Sequence, residues 1–161
     1  AVDHVAPQRE GVVSDLLQYL DTDLLCYRAE SPEALVERQS MVWQPVLTWL
    51  AATHGIELTT VSGLMPISQS QESAQRMRFV LASLNDINLT GVKATAALTS
   101  SLSLALALIG GNLTGEETLV AAQLDETWQI ERWGEDSETA LRRADLQSDL
   151  MAVDRFVSLC R

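Results

Sequence analysis

Apolar residues recur at helical spacing through most of the chain, and the stripes they draw predict a mainly α fold. Leu35, Val42, Val46, Trp49 and Leu50 share one face of a helical repeat. They follow Ser31-Pro32-Glu33, a helix start with serine as N-cap, proline in the first turn and an acid beside it. Pro45 lacks a backbone donor and predicts a kink or a break in this helix. Ala74, Met77, Leu81 and Leu84 form a second stripe, opened by Ser68 and Gln71 at capping-box spacing. Asn85-Asp86 predicts a turn. From Ala94 to Ile109 the chain is apolar apart from Thr95, Thr99 and Ser100, Ser101 and Ser103, and it ends at Gly110-Gly111. That run is shorter than the roughly 20 residues a membrane span needs and rich in hydroxyls. It is expected as a buried central helix.

Thr114 and Glu117 make a second capping box. The helix it opens carries the text LDETWQIERW and stops at Gly134. Asp136 caps a last helix with the stripe Leu146, Leu150, Val153, Phe156, Val157 and Cys160. Val5 to Leu20 is expected as a helix that Gly11 weakens, and Leu24 to Tyr27 is an apolar run of undetermined type. Gly55 to Ile67, which holds Gly63 and Pro66, is expected as a long loop with a brief strand at Glu57–Val61. The expected architecture is one domain over residues 1–161, a multi-helix bundle of about six helices around an apolar central one.

Charge narrows the function classes. The 161 residues carry 22 acids against 11 bases, a net charge of −11, with Arg142-Arg143 the densest basic spot. Nucleic-acid binding and attraction to an anionic membrane both need the opposite sign. A basic or mixed-charge protein surface is the better electrostatic match. The two cysteines, Cys26 and Cys160, lie among apolar residues in no CxxC pattern and are expected as buried free thiols. The opening AVDHVAPQRE carries no signal peptide and is expected to be mid-protein text.

Catalytic chemistry has little to draw on. His4 and His54 stand far apart with no HExxH and no Glu-x-x-His, so no metal site is expected. Gly110-Gly111-Asn112-Leu113-Thr114-Gly115 looks like a glycine-rich loop, but no lysine follows it and it joins two helices, so no nucleotide is expected. No GxSxG occurs. What remains is a run of acids, Asp125, Glu126, Glu131, Glu135, Asp136 and Glu138, opposed by Arg132 alone.

At about 100° per residue the acids of that helix do not share one face. Trp133, Glu126, Leu119 and Ile130 fall in one arc, and Val120, Glu131, Leu124 and Trp128 in another. Arg132, Asp125 and Gln129 lie between them. Glu126 and Glu131 therefore each sit inside an apolar stripe, where a carboxylate must be paired, hydrogen-bonded or covered by a partner. Three readings stand: an interaction site with aromatic anchors beside acids, a small hydrolase using the acid pair, and a structural module whose acids are all paired internally. Trp43 and Trp49, which flank Pro45, are expected in the core.

Three motifs occur in order: Asp23-Leu24-Leu25-Cys26-Tyr27-Arg28-Ala29, then Trp43-x-Pro45-x-x-x-Trp49, then Leu124-Asp125-Glu126-x-Trp128-Gln129-x-Glu131-x-Trp133-Gly134. Together they resemble the assembly chaperones of the F-type ATP synthase alpha subunit, found in mitochondria and alpha-proteobacteria. Gln44 departs from the acid more often found before the proline. The resemblance covers almost the whole chain and implies the helical C-terminal part of such a protein, without the family's N-terminal strand-rich region. It implies a non-enzymatic chaperone with no cofactor and no membrane insertion, which holds the free alpha subunit before it meets beta. The implied setting is a bacterial cytoplasm or a mitochondrial matrix. The implied protein-binding residues are Asp125, Glu126, Trp128, Gln129, Glu131, Trp133 and Gly134, with Glu126 foremost.

Overall fold

The computed structural model describes residues 2–160, with side chains from Gln8 onward. Eight α-helices occur among the described residues: α1 (Val2–Leu17), α2 (Glu33–His54), α3 (Gln71–Ser83), α4 (Asp86–Thr99), α5 (Leu102–Ile109), α6 (Gly115–Ala122), α7 (Leu124–Trp133) and α8 (Ser137–Leu159). Two 3-10 turns, Leu20–Thr22 and Leu24–Cys26, lead into β1 (Tyr27–Arg28), which pairs in parallel with β2 (Val61–Ser62). The fold is mainly α, as the periodicity predicts. The strand lies one to four residues beyond the expected Glu57–Val61, with only Val61 in common.

All eight residues of α5 are buried, because its sequence LSLALALI leaves no polar face to turn outward. Two apolar clusters form around it. Leu102, Ala105, Leu106, Leu108 and Ile109 pack with α1, α3 and α4, while Leu104 and Ala107 pack with Leu25, Trp43, Val46, Leu47, Leu124 and Trp128. Trp49 and Leu58 lean on both clusters, so the two are one continuous core.

Several boundaries differ from expectation, each for a tertiary reason. The run from Ala94 to Ile109 is two helices rather than one. Ser100 takes a left-handed turn (φ 60°, ψ 30°) and its carbonyl accepts the Leu24 N–H at 3.1 Å. Ser101 then caps α5 by accepting the Leu104 N–H at 3.0 Å. The Asp23 carboxylate, fully buried, accepts Ser101 Oγ, Ser103 N and Ser103 Oγ at 2.7, 3.0 and 2.9 Å. A partner from another part of the chain thus stabilises the break. The first half of that run belongs to α4, which starts at Asp86 with Asn85 as its cap, where a turn is expected. The stretch from Thr114 to Trp133 also divides, at Gln123. The Trp43 indole donates to the Ala121 carbonyl at 2.9 Å, an oxygen that a continuing helix would offer to the Asp125 N–H.

The remaining corrections are smaller. Ser70, not Ser68, caps α3, and α2 starts at Glu33 with Pro32 in the cap position that Ser31 is expected to fill. Helix α2 continues through Pro45 without a break. Trp43 is fully buried, and Trp49 is half-buried. Helix α1 ends at Leu17, so Leu20 lies in a 3-10 turn. The capping box at Thr114 and Glu117, the Asp136 cap and the Gly134 stop are all present. Both cysteines are free, and Cys26 is buried, but Cys160 is exposed because α8 buries little beyond Leu150 and Val157. Phe156 is exposed as well.

Candidate functional site

Helix α7 lies over α2 with Leu124 and Trp128 turned inward. Trp128 is 4% exposed and Trp133, five residues on, is 82% exposed. The arcs of the helical wheel therefore divide: Leu124 and Trp128 of one enter the core, while its Glu131 and the other arc's Trp133 lie at the surface. Because the chain bends at Gln123, the wheel positions of Leu119 and Val120 do not continue those of α7.

Each acid of α7 has a partner. Arg38 of α2 grips Glu131 with two bonds, at 2.7 and 3.0 Å. The same guanidinium lies 4.8 Å from the Trp128 ring centroid, and that of Arg132 lies 3.3 Å from it. Glu126 accepts from Arg142 and, at 3.2 Å, from Arg143, both on α8. Arg143 also reaches Thr127 Oγ1 at 3.0 Å and Glu135 at 3.3 Å. Asp125 accepts Gln39 Nε2 at 2.7 Å, and Gln39 Oε1 takes the Ala29 N–H at 2.8 Å. One buried glutamine thus links α7 to the strand end of the DLLCYRA motif.

The electrostatics follow these contacts. Burial pushes the Glu126 carboxyl up, but the bonds from Arg142 and Arg143 outweigh it and hold the group below its ordinary value. The Arg38 bonds do the same for Glu131. Both glutamates are ionised at neutral pH and engaged by arginines of different helices. Asp23 is the opposite case: burial raises its carboxyl against the bonds from Ser101, Ser103 and Leu25.

Of the seven residues singled out from sequence, Trp128 is buried and Glu126 is half-buried. Asp125, Gln129, Glu131, Trp133 and Gly134 lie at the surface. Gly134 ends α7 at φ 83° and ψ 174°, where only glycine sits without strain. Sequence reasoning missed Arg38, Gln39 and the α8 arginines as partners. The Arg142-Arg143 pair was visible as the densest basic spot, but nothing local aims it at Glu126. Among the described residues no group of acids, histidines and cysteines could hold a metal ion, and His4 lies outside the described side chains. No helix of the described residues is long and apolar enough to cross a membrane.

Comparison with known proteins places the chain beside one group of chaperones. The ATP12 chaperone protein family matches residues 1–51. A crystal structure of Atp12 from Paracoccus denitrificans is 35% identical and superposes with a TM-score of 0.92, over 99% of this chain and 69% of that one. A structure from Agrobacterium tumefaciens is 39% identical with a TM-score of 0.85, over 97% of this chain and 58% of that one. The mitochondrial protein atp12 of Schizosaccharomyces pombe is 27% identical over 133 residues, which are 79% of this chain and 46% of that protein. The chain spans about half the length of this curated relative. Fold and sequence together define a mainly helical member of a chaperone family. The chain belongs to the ATP12 chaperone family.

Proposed function

We propose that this chain is a non-enzymatic chaperone that binds the free alpha subunit of the F-type ATP synthase and keeps it from aggregating until beta joins it. Its setting is a bacterial cytoplasm or a mitochondrial matrix. The observation that carries the proposal is Trp133, a tryptophan 82% exposed at the end of a helix whose acids are all engaged. Large aromatic side chains left in water beside a polar rim favour a protein partner that covers them. Gln129, Asp125 and Gly134 lie on the same helix or at its end and extend the surface, and the net charge of −11 suits a basic client.

In this reading Trp128, Glu126 and Glu131 set the surface rather than cover it. Trp128 anchors α7 in the core, and the two glutamates tie it to α8 and α2. Those ion pairs also favour the purely structural reading of the acids, so binding must be measured. A hydrolase using the glutamate pair is the weaker reading. General acid–base work by paired carboxylates needs one of them protonated, and both are held ionised by arginines.

Co-expression with the alpha subunit tests the proposal. The chain is expected to raise the soluble fraction of alpha, and pull-down is expected to lose alpha with Trp133→Ala and with Glu126→Lys. Glu126→Gln distinguishes contact from support: capture equal to wild type assigns Glu126 a supporting role only. Unchanged alpha solubility in the presence of the chain refutes the function.

A further inference from the structure

A trough separates α2 from α6. Both helices rest on α5, and the Trp43–Ala121 hydrogen bond spans the gap between them. The trough consists of two adjoining depressions of about 560 and 320 Å³ that share Val42 and Val120 as walls. Val46, Leu113 and Ala121 line the larger, Leu119 and Leu124 the smaller. Met41, at 78% exposure, and Val120, at 60%, leave apolar side chains open to water along it.

The two ends differ in chemistry. Glu116 and Glu117 stand at the larger depression, and Glu117 spends one oxygen on the Thr114 N–H. Arg38 and Arg143 stand at the smaller, but both are engaged by α7 acids, so that end offers no free cation. Just beneath its wall it holds an enclosed donor instead. Gln123 lines the smaller depression at 8% exposure, and its Nε2 has no hydrogen-bond partner among the described residues. A buried amide donor without an acceptor destabilises the free protein, and an incoming acceptor removes that penalty.

We infer that the trough docks an aliphatic segment of a client polypeptide, with a basic residue over Glu116 and Glu117 and a free backbone carbonyl accepting from Gln123 Nε2 once the enclosed amide turns toward the trough. Carbonyls inside a helix are already taken, so the acceptor belongs to an extended stretch or to the last turn of a helix. The inference rests on the reading of the chain as a chaperone. It uses none of the α7 residues proposed above as contacts.

Fluorescence anisotropy with a labelled peptide, Lys-Lys-Leu-Ser-Leu-Ser-Leu-Ser, tests it. The peptide is expected to bind the wild-type chain, and binding is expected to be lost with Val120→Asp, a change at an exposed position that leaves the fold intact. Gln123→Leu is expected to weaken binding about tenfold, the worth of one hydrogen bond, while raising the thermal midpoint of the free protein. A purely structural Gln123 would not move those two readouts in opposite directions. A peptide with two glutamates in place of the lysines is expected to bind more weakly. Failure of the wild type to bind, or equal binding by all three proteins, overturns the inference. Capture of the alpha subunit separates it from the proposed function. If Val120→Asp captures alpha as well as wild type and Trp133→Ala does not, the trough is wrong and the function stands. If the peptide behaves as expected but no form captures alpha, the trough stands and the named client is wrong.

Discussion

Asp23 and Ser103 stand 80 positions apart and share two hydrogen bonds, from the Ser103 backbone N–H at 3.0 Å and from its hydroxyl at 2.9 Å, to one carboxylate oxygen. The other oxygen takes the Ser101 hydroxyl and the Leu25 N–H. A buried carboxylate thus sits at the N-terminus of the central helix, where free backbone donors and the helix dipole favour negative charge. It also fixes the DLLCYRA segment against the core.

Asp23→Ala is expected to leave two backbone donors unsatisfied, at about 1–3 kcal/mol each. Asp23→Asn is expected to be milder, because one acceptor oxygen remains. Urea denaturation of the three proteins measures the order. A loss below about 1 kcal/mol in the alanine variant contradicts the capping role.

The two tryptophans of α7 are expected to separate stability from binding. Trp128→Ala removes a side chain packed in the core and held under two guanidinium groups, and it should cost about 3–5 kcal/mol. Trp133→Ala should change stability by less than about 0.5 kcal/mol, since the ring is exposed. Calorimetry alongside pull-down checks both, and a large stability loss with Trp133→Ala would sink its role as an outward contact.

Acid should loosen α7. Arg142 and Arg143 outweigh burial at Glu126, Arg38 acts at Glu131, and the Thr139 N–H acts at Asp136, so each carboxyl lies below its ordinary value. A depressed folded value means stability that is full above the unfolded value and lost as pH falls through the folded one. The unfolded values are 4.5 for the glutamates and 3.8 for Asp136, so the loss begins below about pH 5. Asp23 acts with the opposite sign, because its raised carboxyl binds a proton in the folded state first and offsets part of the loss. Denaturation midpoints across this range are expected to fall less steeply in a Glu126→Gln, Glu131→Gln double variant than in wild type. Parallel curves would show that these pairs do not govern the acid transition.

Gly134 is expected to tolerate no side chain even though a Cβ there would meet nothing within 4 Å. Its φ of 83° with ψ 174° belongs to a region that only glycine occupies freely. Gly134→Ala should cost about 1–3 kcal/mol by chemical denaturation. Stability equal to wild type would mean that the turn relaxes to another conformation.

Much of the helical layout was legible because its signals are local. The Thr114–Glu117 box, the Asp136 cap and the Gly134 stop are short-range hydrogen bonds and backbone preferences, and they hold in the structure. The breaks at Ser100 and Gln123 were not legible. Propensity favours continuous helices there, and the groups that engage the backbone, the Leu24 N–H and the Trp43 indole, come from 76 and 78 residues away. The candidate site divides in the same way. That Glu126 and Glu131 need a partner followed from their place in apolar arcs. Which partner each takes did not, since Arg38 meets Glu131 across 93 residues.

By itself the sequence determined a mainly α fold, a buried helical run toward Ile109, an acidic composition and a motif set that points to one chaperone family, because periodicity, composition and local caps act within a few turns of chain. Only the tertiary structure decided that Trp128 enters the core while Trp133 stays outside, and that a trough opens between α2 and α6. Those outcomes depend on where helices from distant parts of the chain come to rest on α5, and no spacing along the sequence encodes that placement.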